Sequence, residues 1–447
     1  MSKHKKDGFT LVELLAVIVI LAVILVIAVP SIMNVITESR KGALASSAKL
    51  IASSAETAYI SNQTLGIEKT IECSDISNYA EEDYKSCDIK FVDGKAKVTL
   101  IGQGKFEGMA VCGGTKEETE VVEECPLTAV EKIENLFKTA ANANGLIEDN
   151  TTDKNIRYAG GSEDVKNYIK FNNEDWRIIG IFNVKTVNET TGEEKTEKLM
   201  KIVKDTPFST TMSWDSSASS INSGYGVNQW GISTYTNGNA YEGADLMRML
   251  NTYYIGASTE CKYCNSNNQG TCTNSCPSSV NQIGSTYRGM IENVVWNTGA
   301  ITSASSIERS SAYTKERGTT TGQECKGTTW QNGIYCTDTV DRTATWTGKI
   351  GLIYPSDYGY ASTSGTDIRN SAIGTTNWLN SGSYWTLSPY ASSGSANLAW
   401  NVNSSNVDYN NAYRGHGVRP AIYLKSDVSI TSGDGSSSTN AYQISMN

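Results

Sequence analysis

Gly8-Phe9-Thr10-Leu11-Val12-Glu13 opens the stretch that decides this fold, and the apolar run behind it reaches Val29. Lys3, Lys5 and Lys6 precede it, Glu13 is its single charge, and the next charged residue is Glu38. The run from Phe9 to Val29, at about 1.5 Å per residue, makes a helix of roughly 30 Å, the thickness of one hydrocarbon core. Lysines on the N-terminal flank alone place the leader in the cytoplasm and the remainder outside, as in a single-pass membrane protein. An ordinary secretory signal is cut behind its apolar run. Here Pro30-Ser31-Ile32-Met33-Asn34 carries on into a helical pattern instead. A cut ahead of the run leaves the helix on the mature chain as an anchor or a packing element.

Glu13 needs a reason. A carboxylate inside a membrane helix costs about 2.5–3.5 kcal/mol at mid-bilayer, less near the interface, and usually marks function. The basic leader, Gly8, the GFTLVE run and the apolar helix together resemble the class III signal of type IV pilins and of type II secretion pseudopilins. That resemblance implies cleavage after Gly8 by a prepilin peptidase and methylation of the new N-terminus at Phe9. It also implies a filament role for Glu13, pairing with the N-terminal amine of a neighbouring pilin subunit. The plain alternative is a carboxylate at headgroup level on an ordinary anchor helix.

Pro30 falls where pilins commonly carry a proline, and an interior proline removes one helical hydrogen bond and kinks the helix. Beyond it, Ile32, Val35, Ile36, Leu44, Ala48, Ile51, Ala52, Ala55 and Tyr59 recur at three- and four-residue steps. This spacing predicts an amphipathic helix to about Ile60. Lys90-Phe91-Val92 and Lys95 to Ile101 flank Asp93-Gly94, a hairpin signal, and Phe106 to Cys112 suggests a further strand. Residues 61–126 thus have the size and pattern of a pilin head. Thr115 to Glu124, with five glutamates, reads as a solvated loop. From Leu127 to Ala141 the period returns to helical, with Val130, Ile133, Leu136 and Phe137 on one face.

The ten cysteines are Cys73, Cys87, Cys112, Cys125, Cys261, Cys264, Cys272, Cys276, Cys325 and Cys336. An even number in an exported chain reads as a disulfide framework, here in two sets, before residue 126 and after residue 260. The spacing Cys261-x2-Cys264 with Cys272-x3-Cys276 also fits a zinc knuckle. An oxidising compartment and a remote His416 favour disulfides, and no metal or cofactor is expected.

A net charge of −9, with no basic cluster beyond the leader, gives no footprint for nucleic acid. At 447 residues the chain has room for two or three domains. After residue 150, Ile156 to Tyr158, Tyr168 to Phe171, Trp176 to Phe182, Leu199 to Val203, Lys349 to Tyr354, Tyr384 to Pro389, Ala399 to Val402 and Gly417 to Leu424 read as strands. Ala244 to Leu250 reads as a short helix, and Tyr287 to Trp296 as another. The WRIIG, YPSDYGYA, WTLSP and GVRPAIYL stretches resemble an uncharacterised extracellular domain of gut Firmicutes, often found behind anchors or pilin leaders. The GVRP strand also resembles C-type-lectin-like domains, including the formylglycine-generating enzyme fold.

Catalytic motifs are not legible. No G-x-S-x-G elbow, P-loop or dinucleotide fingerprint occurs. His416 has no recognisable nucleophile motif, and no cysteine lies beyond Cys336, where a formylglycine-generating enzyme needs them. Asp434, in a lone Asp-Gly turn, is poor support for calcium. Aromatic residues beside Asn and Asp are how many extracellular domains stack on sugars. Trp378, Trp385, Trp400, Tyr409 and Tyr413 are therefore candidates for a carbohydrate or host-surface site, against the reading that such tryptophans are core.

The expectation is an α+β chain with a long N-terminal pilin helix, a small antiparallel β head and a larger β-rich, loop-rich extracellular domain. Its divisions are a leader at 1–8, a helix at 9–60 with membrane part 9–29, a head at 61–126, a helical connector at 127–150 and a display domain at 151–447. The expected role is a non-enzymatic pilin-like subunit, minor or tip, of a pilus or secretion pseudopilus. Its partners are the membrane, the prepilin peptidase, other pilin subunits and a carbohydrate or host-surface ligand. The alternatives are an anchored binding module outside any filament and an extracellular enzyme on a lectin-like scaffold.

Overall fold

The apolar run and the amphipathic pattern behind it form one helix, α1, Leu11–Leu65. A computed structural model describes residues 11–67, 69–77, 79–92, 94–217, 225–235, 238–263, 276–302, 304–318, 330–331, 334–335, 340, 342–391 and 397–446. The helix assignment is continuous through position 30 and ends five residues later than the periodicity suggested. The chain divides into two compact units, one up to Pro126 and one from Leu127 to Met446.

In the first unit α1 buries one face only in its second half. Leu44, Ala48, Ile51, Ala52 and Ala55 are buried together with Ala96, Val98, Leu100 and Val111. Those partners come from an antiparallel sheet ordered β1 (Tyr84–Val92), β2 (Lys95–Gly102), β3 (Ala110–Gly114) and β4 (Val121–Val122). In β2 inward residues alternate with outward ones, as a sheet with one covered face requires. Its hairpin turns where Asp93-Gly94 predicted, with Val92 opposite Lys95. Two details differ from the sequence reading. A 3-10 turn, Gly104–Phe106, displaces the start of the next strand to Ala110, and the glutamate-rich loop contains the short edge strand β4.

The second unit starts with α2, Ala129–Asn144. Thr128 and Glu131 form a reciprocal capping box at its start, and Gly145 ends it in the left-handed region at φ 71°. Ala129 and Ile133 lie in the core of this unit. Residues 127–150, expected as a connector, are thus an integral part of the domain, because the apolar face of α2 is covered by its strands. Tyr287 to Trp296, expected as a helix, divides into a one-turn helix, Ser285–Gly289, and a strand, Val294–Asn297. Val294 and Trp296 point inward on alternate positions of that strand, so the period that counts there is two.

The largest sheet is antiparallel and runs in the order Thr345–Gly348, Val294–Asn297, β8 (Glu174–Val187), β9 (Glu194–Lys204), Ala421–Leu424 and Ile350–Gly351. Strands β6 (Ile156–Tyr158) and β7 (Tyr168–Phe171) also pair with β8, and β5 (Leu146–Glu148) pairs with β6. Gly180 permits the β6–β8 approach, since a Cβ there would lie 2.2 Å from the Ile156 carbonyl oxygen. A second sheet joins Ile301–Thr302 to Ser383–Ala391, Leu398–Asn403 and Asn406–Asn411. The tryptophans at 176, 214, 230, 296, 385 and 400 are all fully buried.

Candidate functional site

The first half of α1 behaves unlike a soluble helix. Val17, Ile18, Val19, Ile20 and Leu21 are consecutive, apolar and each about half exposed, so every face of the helix presents hydrocarbon. A helix hydrophobic all round needs a lipid or protein surround. Glu13 sits exposed in its first turn. Gly8 and Phe9 lie outside the described residues. So do the side chains at 25, 27, 28, 30 and 31, Pro30 among them. Among the described residues no helix is long and apolar enough to cross a membrane.

Residues 3–29 match the prokaryotic N-terminal methylation motif. The chain opens with a pilin-type signal. No curated protein and no solved structure matches the chain. A pilin-type precursor of this kind is processed by a prepilin peptidase and associates with the membrane through its N-terminal helix. The match spans Gly8, Phe9 and Glu13 and leaves the second unit to be read from its own geometry.

Where the pilin-type helix enters the head, a buried carboxylate fixes the contact. Glu56 of α1 accepts hydrogen bonds from the Ala96 backbone N–H at 3.1 Å and from Lys116 Nζ at 2.6 Å. The Lys116 contact, helped by the Ala96 N–H, outweighs desolvation and holds the Glu56 carboxyl below its ordinary range. Two disulfides brace the same sheet, Cys73–Cys87 and Cys112–Cys125. A third, Cys261–Cys276, belongs to the second unit. It pairs the outer cysteines of the knuckle-like segment, so that segment does not offer four free thiolates to zinc. Cys264, Cys272, Cys325 and Cys336 lie outside the described residues.

The aromatic candidates for a ligand surface do not form one. Trp385 and Trp400 are fully buried, and Trp378 and Tyr413 are nearly so. Their indole N–H groups point to internal carbonyls, Trp378 to Tyr158, Trp385 to Met212 and Trp400 to Ile301. Tyr409 alone is half-buried, and it packs on Tyr390 and Trp400. The three tryptophans and Tyr413 are core, and only Tyr409 keeps part of its ring exposed. Alternation within a strand cannot tell a core face from a binding face, which is why the sequence left both open.

His416 is also accounted for internally. Its Nδ1 lies 2.8 Å from Ser383 Oγ and its Nε2 3.2 Å from Asn410 Nδ2, with the ring edge-on to Trp385. Ser383 donates to the Val402 carbonyl at 3.1 Å. The consistent tautomer has Nδ1–H donating to Ser383 and Nε2 accepting from Asn410. Burial lowers the imidazole pKa, so the neutral ring is favoured.

Two polar features were not legible beforehand. A cavity of about 440 Å³ is lined by Ser216, Ser217, Asp245, Arg248, Thr252 and Glu260, among others. Asp245 accepts from both the N–H and the hydroxyl of Ser216 and pairs with Arg248. Behind it Asp215 is pushed up to about 7 by burial and by the Asp245 charge.

The other is a buried charge network across the main sheet. Arg157 of β6 bridges Asp149 at 2.7 Å and Asp357 at 2.8 Å, and Lys201 of β9 reaches Asp357 at 2.6 Å. Asp357 stands in the first turn of helix Pro355–Tyr360. Glu316 accepts from the Ser356 N–H at 2.8 Å and from its hydroxyl at 2.5 Å, and burial raises it to about 7. The YPSDYGYA stretch carries both Ser356 and Asp357, yet their partners lie 40 to 200 residues away.

Proposed function

We propose that the chain is a pilin-like subunit, minor or tip, of a type IV pilus or a type II secretion pseudopilus, and that its second unit is displayed outside the cell for adhesion or ligand binding. The observation that carries this is the methylation motif at residues 3–29 continuing into a helix whose apolar side chains are exposed on every face. In this reading the leader stays in the cytoplasm, Gly8 is the cleavage position and Phe9 becomes the methylated N-terminus. Glu13 then guides docking against a neighbouring subunit as the helix moves from bilayer to filament. A unit running from Leu127 to Met446 on every subunit would crowd a filament, which favours sparse or terminal placement. The polar cavity beside Asp245 is a better place for a small ligand than the buried tryptophans. Catalysis forms no part of the proposal.

N-terminal mass spectrometry of the protein from its native cells tests the first step. A mature chain beginning with N-methylated Phe9 supports the reading, and an intact Met1 start removes it. Immunogold labelling tests the second step: dense regular labelling along filaments rules out a minor subunit. The second reading is an anchored binding module, favoured if Glu13→Ala leaves both surface display and filament content unchanged.

A further inference from the structure

Lys201 and Asp357 make an unusual pair because water reaches neither. The Lys201 side chain is 0% exposed and that of Asp357 1%, with Nζ 2.6 Å from Oδ2. Aromatic rings surround the amine, with Tyr354 at 4.2 Å, Trp296 at 5.3 Å and Tyr423 at 5.5 Å from ring centre to Nζ. The other carboxylate oxygen, Oδ1, accepts from Arg157 Nη1 at 2.8 Å. The Tyr354 backbone N–H, at 3.0 Å, donates to Oδ2 as well. Burial pulls the Lys201 pKa down against the pull of Asp357. The two cations hold Asp357 at about 2, overcoming its desolvation. The ammonium–carboxylate form therefore predominates, and the amine–acid tautomer is reached by moving one proton across a single short hydrogen bond.

We propose that Lys201 and Asp357 condense into an intramolecular isopeptide bond that locks strand β9 to the helix Pro355–Tyr360. In the amine–acid tautomer Nζ attacks Cγ of Asp357. Negative charge gathers on Oδ1, where the Arg157 guanidinium already sits, an arrangement that stabilises a tetrahedral intermediate. The Nζ–Cγ bond forms and the Cγ–Oδ2 bond breaks. Of the three ammonium protons, two leave with Oδ2 as water and one remains on the amide nitrogen. Nothing is oxidised or reduced, and no co-reactant is needed. The fold supplies what a solution amine and acid lack, a fixed contact held by packing on all sides, which replaces a bimolecular encounter. The product joins positions 156 residues apart in the unit that the proposed function displays outside the cell, and the chemistry does not depend on that display.

The test is peptide mapping by mass spectrometry on the full chain from its native cells, reduced, denatured and digested. The expected result is a branched peptide joining Lys201 to Asp357, one water lighter than its two parts, with no proteolytic cleavage after Lys201. Lys201→Met and Asp357→Ala should each abolish the branched peptide. Asp357→Asn should restore it, since the same bond then forms with loss of ammonia. Linear peptides carrying free Lys201 and free Asp357 as the main species in the unaltered chain would overturn the proposal. A water loss without the branched peptide would do so equally.

Discussion

The two units of this chain solve the same problem, a carboxylate held away from water, in opposite ways. In the head Glu56 reaches a lysine that is itself nearly half exposed and a backbone N–H of β2. Its charge is answered at the edge of a small core, and two disulfides supply much of the remaining constraint. In the second unit Asp357, Lys201 and Arg157 lie wholly inside, between sheets rich in tryptophan and tyrosine. A core that size can enclose a full ion network, whereas a head of this size depends on covalent ties. The comparison teaches where each unit is vulnerable: the first to reduction, the second to any change that strands a buried charge.

The sharpest way to break the comparison is Asp357→Ala. It leaves Lys201 facing no carboxylate and Arg157 only Asp149, and should cost about 3–5 kcal/mol. Chemical denaturation should show the loss in the transition of the second unit, with that of the head unmoved. Next in size is Cys112→Ser with Cys125→Ser. Opening a loop of sequence separation 13 should cost the head about 3 kcal/mol in the chain-entropy account. Cys261→Ser with Cys276→Ser should instead leave the main core of the second unit folded. Unfolding of the second unit on opening its pair, as of the head on opening Cys112–Cys125, would erase that distinction.

Smaller still is Glu56→Ala, which leaves the Ala96 N–H without its acceptor in a buried position. The expected loss is about 1–3 kcal/mol, read as a lower melting temperature of the head. Finally, pH should move the two units in opposite directions. The Glu56 carboxyl lies below its ordinary value of 4.5; its contribution is present above that value and lost as pH falls through the lowered one. Glu316 and Asp215 are raised from 4.5 and 3.8 to about 7. Their contribution is complete below the ordinary values and disappears as pH rises toward 7. Asp149 opposes them at the acid end, where Arg157 holds it low although burial resists. Melting curves from pH 4 to 8 should therefore show the second unit weakening on the alkaline side, with Glu316→Gln flattening that limb.

Local chemistry was legible wherever one segment contains its own reason. Asp93-Gly94 predicts the β1–β2 hairpin because only a tight turn suits that pair between alternating strands. Tyr168 to Phe171 is a strand with the bounds its pattern suggested. Tyr287 to Trp296 misled because a one-turn helix and a four-residue strand, joined end to end, mimic one longer helical period. The α2 segment was read as helical, yet its role was missed: periodicity shows an apolar face and does not say what covers it. Pro355-Ser356-Asp357 does carry a helix-start signal, proline at N1 and an acid at N3, and the structure has that capping arrangement. The same Asp357 is also the centre of the buried ion network, which no local signal announces.

By itself the sequence determined the pilin-type beginning, the long helix, the hairpin of the head and several strands of the second unit, because these depend on residue type at short spacing. Only the tertiary structure decided which aromatic rings are core, which cysteines meet, and that Lys201, Arg157 and Asp357 share one dry interior. Those facts depend on contacts between residues far apart in the chain, and a period of two or of 3.6 carries no record of them.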